Sequence, residues 1–328
     1  MSPPPTFTRF AILGSGQVAR SILTALLSLP SPTTPDSITI LTRHAPTSPP
    51  LPTSPIIKLA LISSYSNTSD EITNILSTER SEVVIDATRV AEAGFHKTLV
   101  DAARKAEGVK LFVPSEFGNV TDEREGRDEG DFKGAVRAYL RGVGLPFVAI
   151  FCNCFISAVP WLVQSDQGKF YILGEGNTPA SYTALPDVAR FLAHILTTLP
   201  LHPTTSPSNS DRLAPPTSLS NSSFRLQSSR LTLLQLHALP SFSHLPLVHL
   251  PLSSSIPPSA PGKEDEEGTA FATLVQWWTE GGRCSTGWDW EAGKDREGWA
   301  GSGNGVVGTE GWVWERVEDV YGKEGTGV

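Results

Sequence analysis

Apolar residues in the first half of this chain fall in two alternating patterns. One is the short continuous run: RFAIL at 9–13, SITILTR at 37–43, IIKLALI at 56–62, EVVIDAT at 82–88, VKLFVPS at 109–115 and PFVAIFC at 146–152. The other is helical spacing, as in Val18, Ile22, Ala25 and Leu26, or Phe95, Leu99, Ala102 and Ala103. Continuous runs predict strands buried on both faces, and the spaced runs between them predict amphipathic helices. Strand–helix alternation with right-handed crossovers predicts an α/β fold with a doubly wound parallel sheet. Two Pro/Ser/Thr-rich stretches interrupt it, 44–55 and 202–223, and the second is expected to be a mobile low-complexity loop. From Gly262 onward acidic residues, Gly and Trp dominate. The expected division is a nucleotide-binding domain of 1–155 with parts of 183–250, and a smaller discontinuous C-terminal substrate lobe of 156–182 and 251–328.

Composition narrows the partners. A formal net charge of −8 offers no general attraction to phosphate polymers or anionic membranes, so no nucleic-acid or membrane partner is expected. Three cysteines form neither a disulfide framework nor a zinc pattern, and the seven histidines do not cluster with acids, so no metal site is expected. The N-terminus lacks a basic segment followed by an apolar one, and no apolar run has the length of a membrane span, so the expected location is cytoplasmic. Monomer and homodimer both remain open.

The first strand runs into ILGSGQVA, which places Gly14, Gly16 and Ala19 in GxGxxA spacing between strand and helix. The first glycine permits the tight turn, and the second leaves room for a pyrophosphate. The small third residue lets helix close on strand, with the amides of Gln17 and Val18 at the helix N-terminus facing the anion. This is the dinucleotide fingerprint of a Rossmann-like sheet. The end of the second strand reads ILTRHAP, with Arg43 and no carboxylate, which favours a ribose 2′-phosphate and hence NADP(H). Further along, DFKGAVRAYLRGV predicts a helix with an apolar face of Phe132, Val136, Leu140 and Val143; Lys133 and Arg137 lie one turn apart beside that face. A lysine at such a border can serve as a general acid or base, although a solvated pair fits the pattern equally well.

FVPSEFG at 112–118, KxxVR at 133–137 and NCF at 153–155, in this order, resemble the isoflavone reductase-like branch of the NmrA-like family. These are atypical short-chain dehydrogenase/reductase relatives. The resemblance covers roughly residues 8–200, including TALPDVARFLAHIL at 183–196. It implies an NADPH-dependent reductase of an aromatic or conjugated small molecule, in secondary metabolism. It places Lys133 beside the nicotinamide as proton donor or acceptor, with Ser115 bonding cofactor or substrate. It puts Ala87, Thr88, Pro114, Phe117 and Asn153 along the cofactor, and Glu116, Phe117, Asn153 and Phe155 toward the substrate. For Glu116 a structural role, capping amides or pairing with a base, is an equal alternative. The YxxxK pair of typical short-chain dehydrogenases does not occur. The first turn departs from the GxxGxxG of many members, DATRVA lacks a glycine often found after the fourth strand, and 201–328 barely matches. Two rival functions stay open: a non-catalytic NAD(P)-sensing regulator, and an isomerase that binds the cofactor without spending it. For the tryptophan-rich tail, structural anchoring is the expected role, with an aromatic lid as the alternative.

Overall fold

The computed structural model describes residues 5–46, 50–64, 69–89, 93–121, 132–203, 215–252, 267–308 and 312–323. In chain order the nucleotide half comprises β1 (Arg9–Leu13), α1 (Gln17–Leu27), β2 (Ser37–Thr42), β3 (Ile57–Leu61), α2 (Ser69–Thr78), β4 (Val83–Asp86), α3 (Ala93–Lys105), β5 (Leu111–Val113), α4 (Phe132–Val143) and β6 (Val148–Phe151). Five strands pair in the order β3-β2-β1-β4-β5, all parallel. A parallel bridge between Phe112 and Phe147 carries the sheet on to β6.

Alternation along each strand divides the core in two. Phe10, Ile12, Ile38, Ile40, Ile85 and Ile150 pack against α1 and a later helix; Ala11, Leu13, Leu41, Val84, Phe112 and Phe151 pack against α2, α3 and α4. Both faces of the inner strands are therefore covered, which is why they read as unbroken apolar runs; the edge strand β3 departs from the expectation, with Leu59 and Leu61 exposed. The doubly wound α/β fold is the observed one.

The chain then continues through β7 (Cys154–Phe155), α5 (Val159–Leu162), β8 (Phe170–Leu173), β9 (Ala180–Thr183), α6 (Leu185–Thr198), β10 (Ser222–Arg225), β11 (Ser229–Leu231), α7 (Leu233–His237), β12 (Leu247–Leu250), α8 (Glu267–Glu280), β13 (Trp288–Asp289), β14 (Lys294–Asp295) and α9 (Val317–Tyr321). Of these, α6 lies on α1, and β10 pairs parallel with β6 in the main sheet. The others build a second lobe from small sheets, β7-β9-β11 and β8-β12, around Tyr182, Phe170, Phe242 and Leu233. Two segments cross the expected division. Residues 229–250 side with the second lobe through β11, α7 and β12, whereas Trp312 and Trp314 return to the first core.

The low-complexity expectation for 202–223 needs correction. Residues 204–214 lie outside the described residues, but within 215–223 Ser218 and Leu219 are buried. Leu219 is fully buried with its amide on Pro200 O at 3.0 Å, and Ser222 Oγ donates to Ser218 O at 2.7 Å just where β10 begins. Serine hydroxyls here satisfy the main chain rather than solvate it, so composition alone misleads.

At the N-terminal end of the sheet, Glu82 accepts from the amides of Thr8 (2.9 Å) and Arg9 (3.3 Å) and from Lys110 Nζ (2.7 Å). Burial alone would raise its pKa, but the bonds to Lys110, Thr8 and Arg9 outweigh it and hold the carboxyl below its ordinary value. A depressed carboxylate contributes stability that is full above its unfolded pKa, about 4.3, and is lost as pH falls through the folded value. Glu82→Gln is therefore expected to be less stable at neutral pH and to flatten the acid limb of a stability–pH curve measured by urea unfolding. A limb as steep as that of the parent would refute the assignment.

Candidate active site

The site forms where β1, β4 and β5 end. Between the outgoing connections of β1 and β4 the strand order reverses direction, which leaves a crevice at the carboxyl edge. Gly14 turns the chain there with φ +106°, and a Cβ on it would sit 3.0 Å from Ala87 O. The backbone of β4's exit thus closes against a residue that has no side chain. Gly16 caps α1 with extended backbone and no side-chain cap, and a Cβ on it would meet nothing within 4 Å. The first-turn amides of α1 consequently open on space rather than on a capping side chain, which suits a phosphate. Arg20 holds the turn from behind, with Nε on Ser15 O at 2.9 Å and a guanidinium nitrogen on Pro50 O at 3.0 Å. Arg43 and His44 are exposed at the end of β2 beside this turn, where Thr42 Oγ1 lies 3.4 Å from Ser15 Oγ. The residues present fit a dinucleotide, and the exposed cation fits one bearing a ribose phosphate.

The opposite wall is polar and mostly buried. Asp86, fully buried at the end of β4, accepts from Thr88 N (3.1 Å) and Thr88 Oγ1 (2.7 Å) through one oxygen and meets His96 Nδ1 at 2.5 Å through the other. This folds the Ala87–Thr88 segment back over the strand end. Ser115 Oγ donates to Thr88 O at 2.7 Å, so the loops after β4 and β5 are joined. Pro114 takes the chain out of the sheet directly after β5, as a residue without an amide proton must. His96, Pro114, Ser115, Glu116, Lys133 and Val136 line a small recess at this junction.

Glu116 and Arg137 each take one of the two readings that the sequence leaves open. Glu116 is 1% exposed and Arg137 0% exposed, and the two form a buried ion pair. The other Glu116 oxygen accepts from Thr121 Oγ1 at 3.0 Å and lies 4.0 Å from Lys133 Nζ. A carboxylate so enclosed serves as a structural anchor, pairing with a base. Arg137 belongs in the interior of α4's packing face, not in solvent. Burial pulls its pKa down, to about 9, with repulsion from Arg141 adding to the effect, so it is still a cation at neutral pH. Lys133, one turn earlier and half-buried, is left at the recess with its ammonium held by the outer face of this pair.

Asn153 carries a structural bond as well. It adopts φ +52° between β6 and β7, and its side-chain nitrogen donates to Ser181 O (2.8 Å) and Cys284 O (2.5 Å). Its side-chain nitrogen therefore ties the two lobes together. The left-handed backbone also interrupts the strand between Cys152 and Cys154. Burial pushes the Cys152 thiol up to about 12 and Cys284 up to about 11, so both stay protonated. Phe117 and Phe155 are half-buried, each packed on the core beneath the crevice. Sequence reasoning missed the Asp86–His96 pair; its signal was a histidine on the apolar face of α3, one turn before Leu99, ten residues after a strand-ending aspartate.

Over 104 residues the chain is 36% identical to bifunctional pinoresinol-lariciresinol reductase 2 of Linum usitatissimum, covering 28% of this chain and 32% of that protein. Over 206 residues it is 29% identical to leucoanthocyanidin reductase of Desmodium uncinatum, covering 58% and 52%. The aligned part thus spans about a third to a half of these relatives' own length. Among solved structures, isoflavone reductase superposes with a TM-score of 0.64 at 18% identity, covering 96% of this chain and 98% of that one. The leucoanthocyanidin reductase of Vitis vinifera in a ternary complex gives 0.63 at 20% identity, with the same coverage. These superpositions establish a shared fold. The NmrA-like family pattern matches residues 9–197, more than half of the chain, and the chain belongs to the NmrA-like family.

Proposed function

We propose that the protein is an NADPH-dependent reductase of an aromatic or conjugated small molecule. The observation that carries this reading is the convergence of Lys133 and Ser115 on one recess, next to an open glycine turn at the strand-order switch point. The names of the relatives, pinoresinol-lariciresinol reductase and leucoanthocyanidin reductase, support it. When bound, the coenzyme supplies a hydride from its nicotinamide ring. The amides of Gly16, Gln17 and Val18 would hold its pyrophosphate and Arg43 its 2′-phosphate. Ala87, Thr88 and Pro114 would border the dinucleotide, and Phe117 would wall the ring. Lys133 delivers or removes the proton that accompanies hydride transfer. Ser115, with its proton already given to Thr88 O, has lone pairs left to accept from the ligand.

The test begins with binding. Calorimetric titration should give NADPH a tighter site than NADH, and Arg43→Ala should cost NADPH about tenfold while leaving NADH unchanged. No heat and no thermal protection with either coenzyme would overturn the reading. NADPH deuterated at the transferred position then separates three chemistries: label in product means reduction, product without label means rearrangement, and binding with no product across substrates means a sensor.

A further inference from the structure

A second cavity, of about 530 Å³, lies outside the recess, between the end of α8, the turn that follows it and the β13–β14 hairpin. Trp277, Trp288 and Trp290 form its aromatic walls, with Leu252 at its edge. Arg283 stands among them, its guanidinium carbon 5.3 Å from the ring centre of Trp277 and 5.6 Å from that of Trp290. Trp288 and Trp290 meet edge to face at 5.8 Å, which fixes the walls relative to each other.

Three features of this cavity specify a ligand. The Arg283 guanidinium lies within cation–π distance of two indoles, Trp277 and Trp290, and its N–H edge can bond something else. Among the described residues Arg283 forms no ion pair. The nearby carboxylate, Glu280, is turned to another task, accepting from Gly176 N at 2.9 Å. The volume lies in the range of small-molecule sites, and its walls are flat and aromatic. A planar fork of donors among indoles matches a carboxylate attached to a flat ring system. The Glu280 charge at the rim weighs more heavily against a phosphate dianion than against a singly charged carboxylate.

The geometry points to this cavity as a binding site for an aromatic carboxylate. The site needs no coenzyme, and it extends the proposed reductase without resting on it. It is tied to the loop of the recess: Trp290 Nε1 donates to Val120 O at 2.8 Å, in the same loop that carries Ser115 and Glu116.

The experiment is calorimetric titration of the full chain, without coenzyme, using naphthoate and its neutral counterpart naphthamide. Naphthoate should bind saturably at one site, and naphthamide about tenfold more weakly. Arg283→Met should weaken naphthoate to the level of naphthamide, and Arg283→Lys should keep part of the affinity. Trp277→Ala should weaken both ligands. Unchanged melting and unchanged NADPH titration in each variant show that the fold and the coenzyme site are intact. Absence of saturable heat at millimolar naphthoate, equal affinity for acid and amide, or indifference to Arg283→Met would each overturn the site. None of these outcomes depends on whether NADPH binds.

Discussion

Arg137→Met is expected to destabilise the protein by about 3–5 kcal/mol, the usual cost of removing one partner from a buried ion pair. The substitution leaves the Glu116 carboxylate 1% exposed with Thr121 as its close partner and only the 4.0 Å approach of Lys133 to offset its charge. It also strips Thr121 of two bonds from the guanidinium, one of them to Thr121 Oγ1 at 2.6 Å. Urea unfolding measures the loss directly. The double variant Arg137→Met, Glu116→Gln should recover a large part of it, because the uncompensated charge and not the lost contact dominates the penalty. A single-variant loss under about 1 kcal/mol would mean that water reaches the pair in solution.

Lys133→Met should lower turnover by about a hundredfold or more while leaving NADPH affinity near normal. The assay is NADPH oxidation with a panel of enones, phenolic esters and imines, under the proposed reductase reading. Lys133 sits at the recess and Glu116 is already neutralised by Arg137, so the ammonium is positioned without being locked into the pair. Lys133→Arg should not restore the rate, since a guanidinium does not release a proton near neutral pH. Unchanged turnover in Lys133→Met would remove the residue from the chemistry. The two substitutions also separate from each other. Arg137→Met acts on stability first, whereas Lys133→Met acts on the chemical step at nearly parental stability.

The sheet and its glycine turn were readable because their determinants are local. Gly14, Gly16 and Ala19 need only the strand before them and the helix after them, and apolar runs of four to seven residues mark β1 to β6. The recess was readable in part. Pro114 announces the chain's exit from β5, and Ser115 follows it to the strand end. The partner of Glu116, however, lies 21 residues away on another element. Periodicity alone treats Arg137 as a polar position at a helix border, and only pairing with Glu116 makes its complete burial tolerable. Asp86 and His96 escaped notice for the same reason, each being intelligible only beside the other. The second lobe was least legible. Its strands β7, β9 and β11 have two to four residues, too few for a period, and they pair across the chain. Trp312 stacks under Arg190 at 4.7 Å and Trp314 lies against Phe191, fastening the tail to α6.

The placement of β10 has a consequence for how the molecule can be taken apart. The strand that flanks β6 arrives some seventy residues after it, once β7, β8 and β9 have already been laid down elsewhere. A shortened chain stopping near Phe155 would leave the uncharged run Val148–Phe151 with a bare rim of amides and carbonyls, open to pairing with a neighbouring molecule. The coenzyme half is therefore not a detachable cassette. Ribosomal synthesis must deliver most of the polypeptide before that rim is sealed, so the interval between β6 and β10 is when the nascent protein most needs shielding from aggregation.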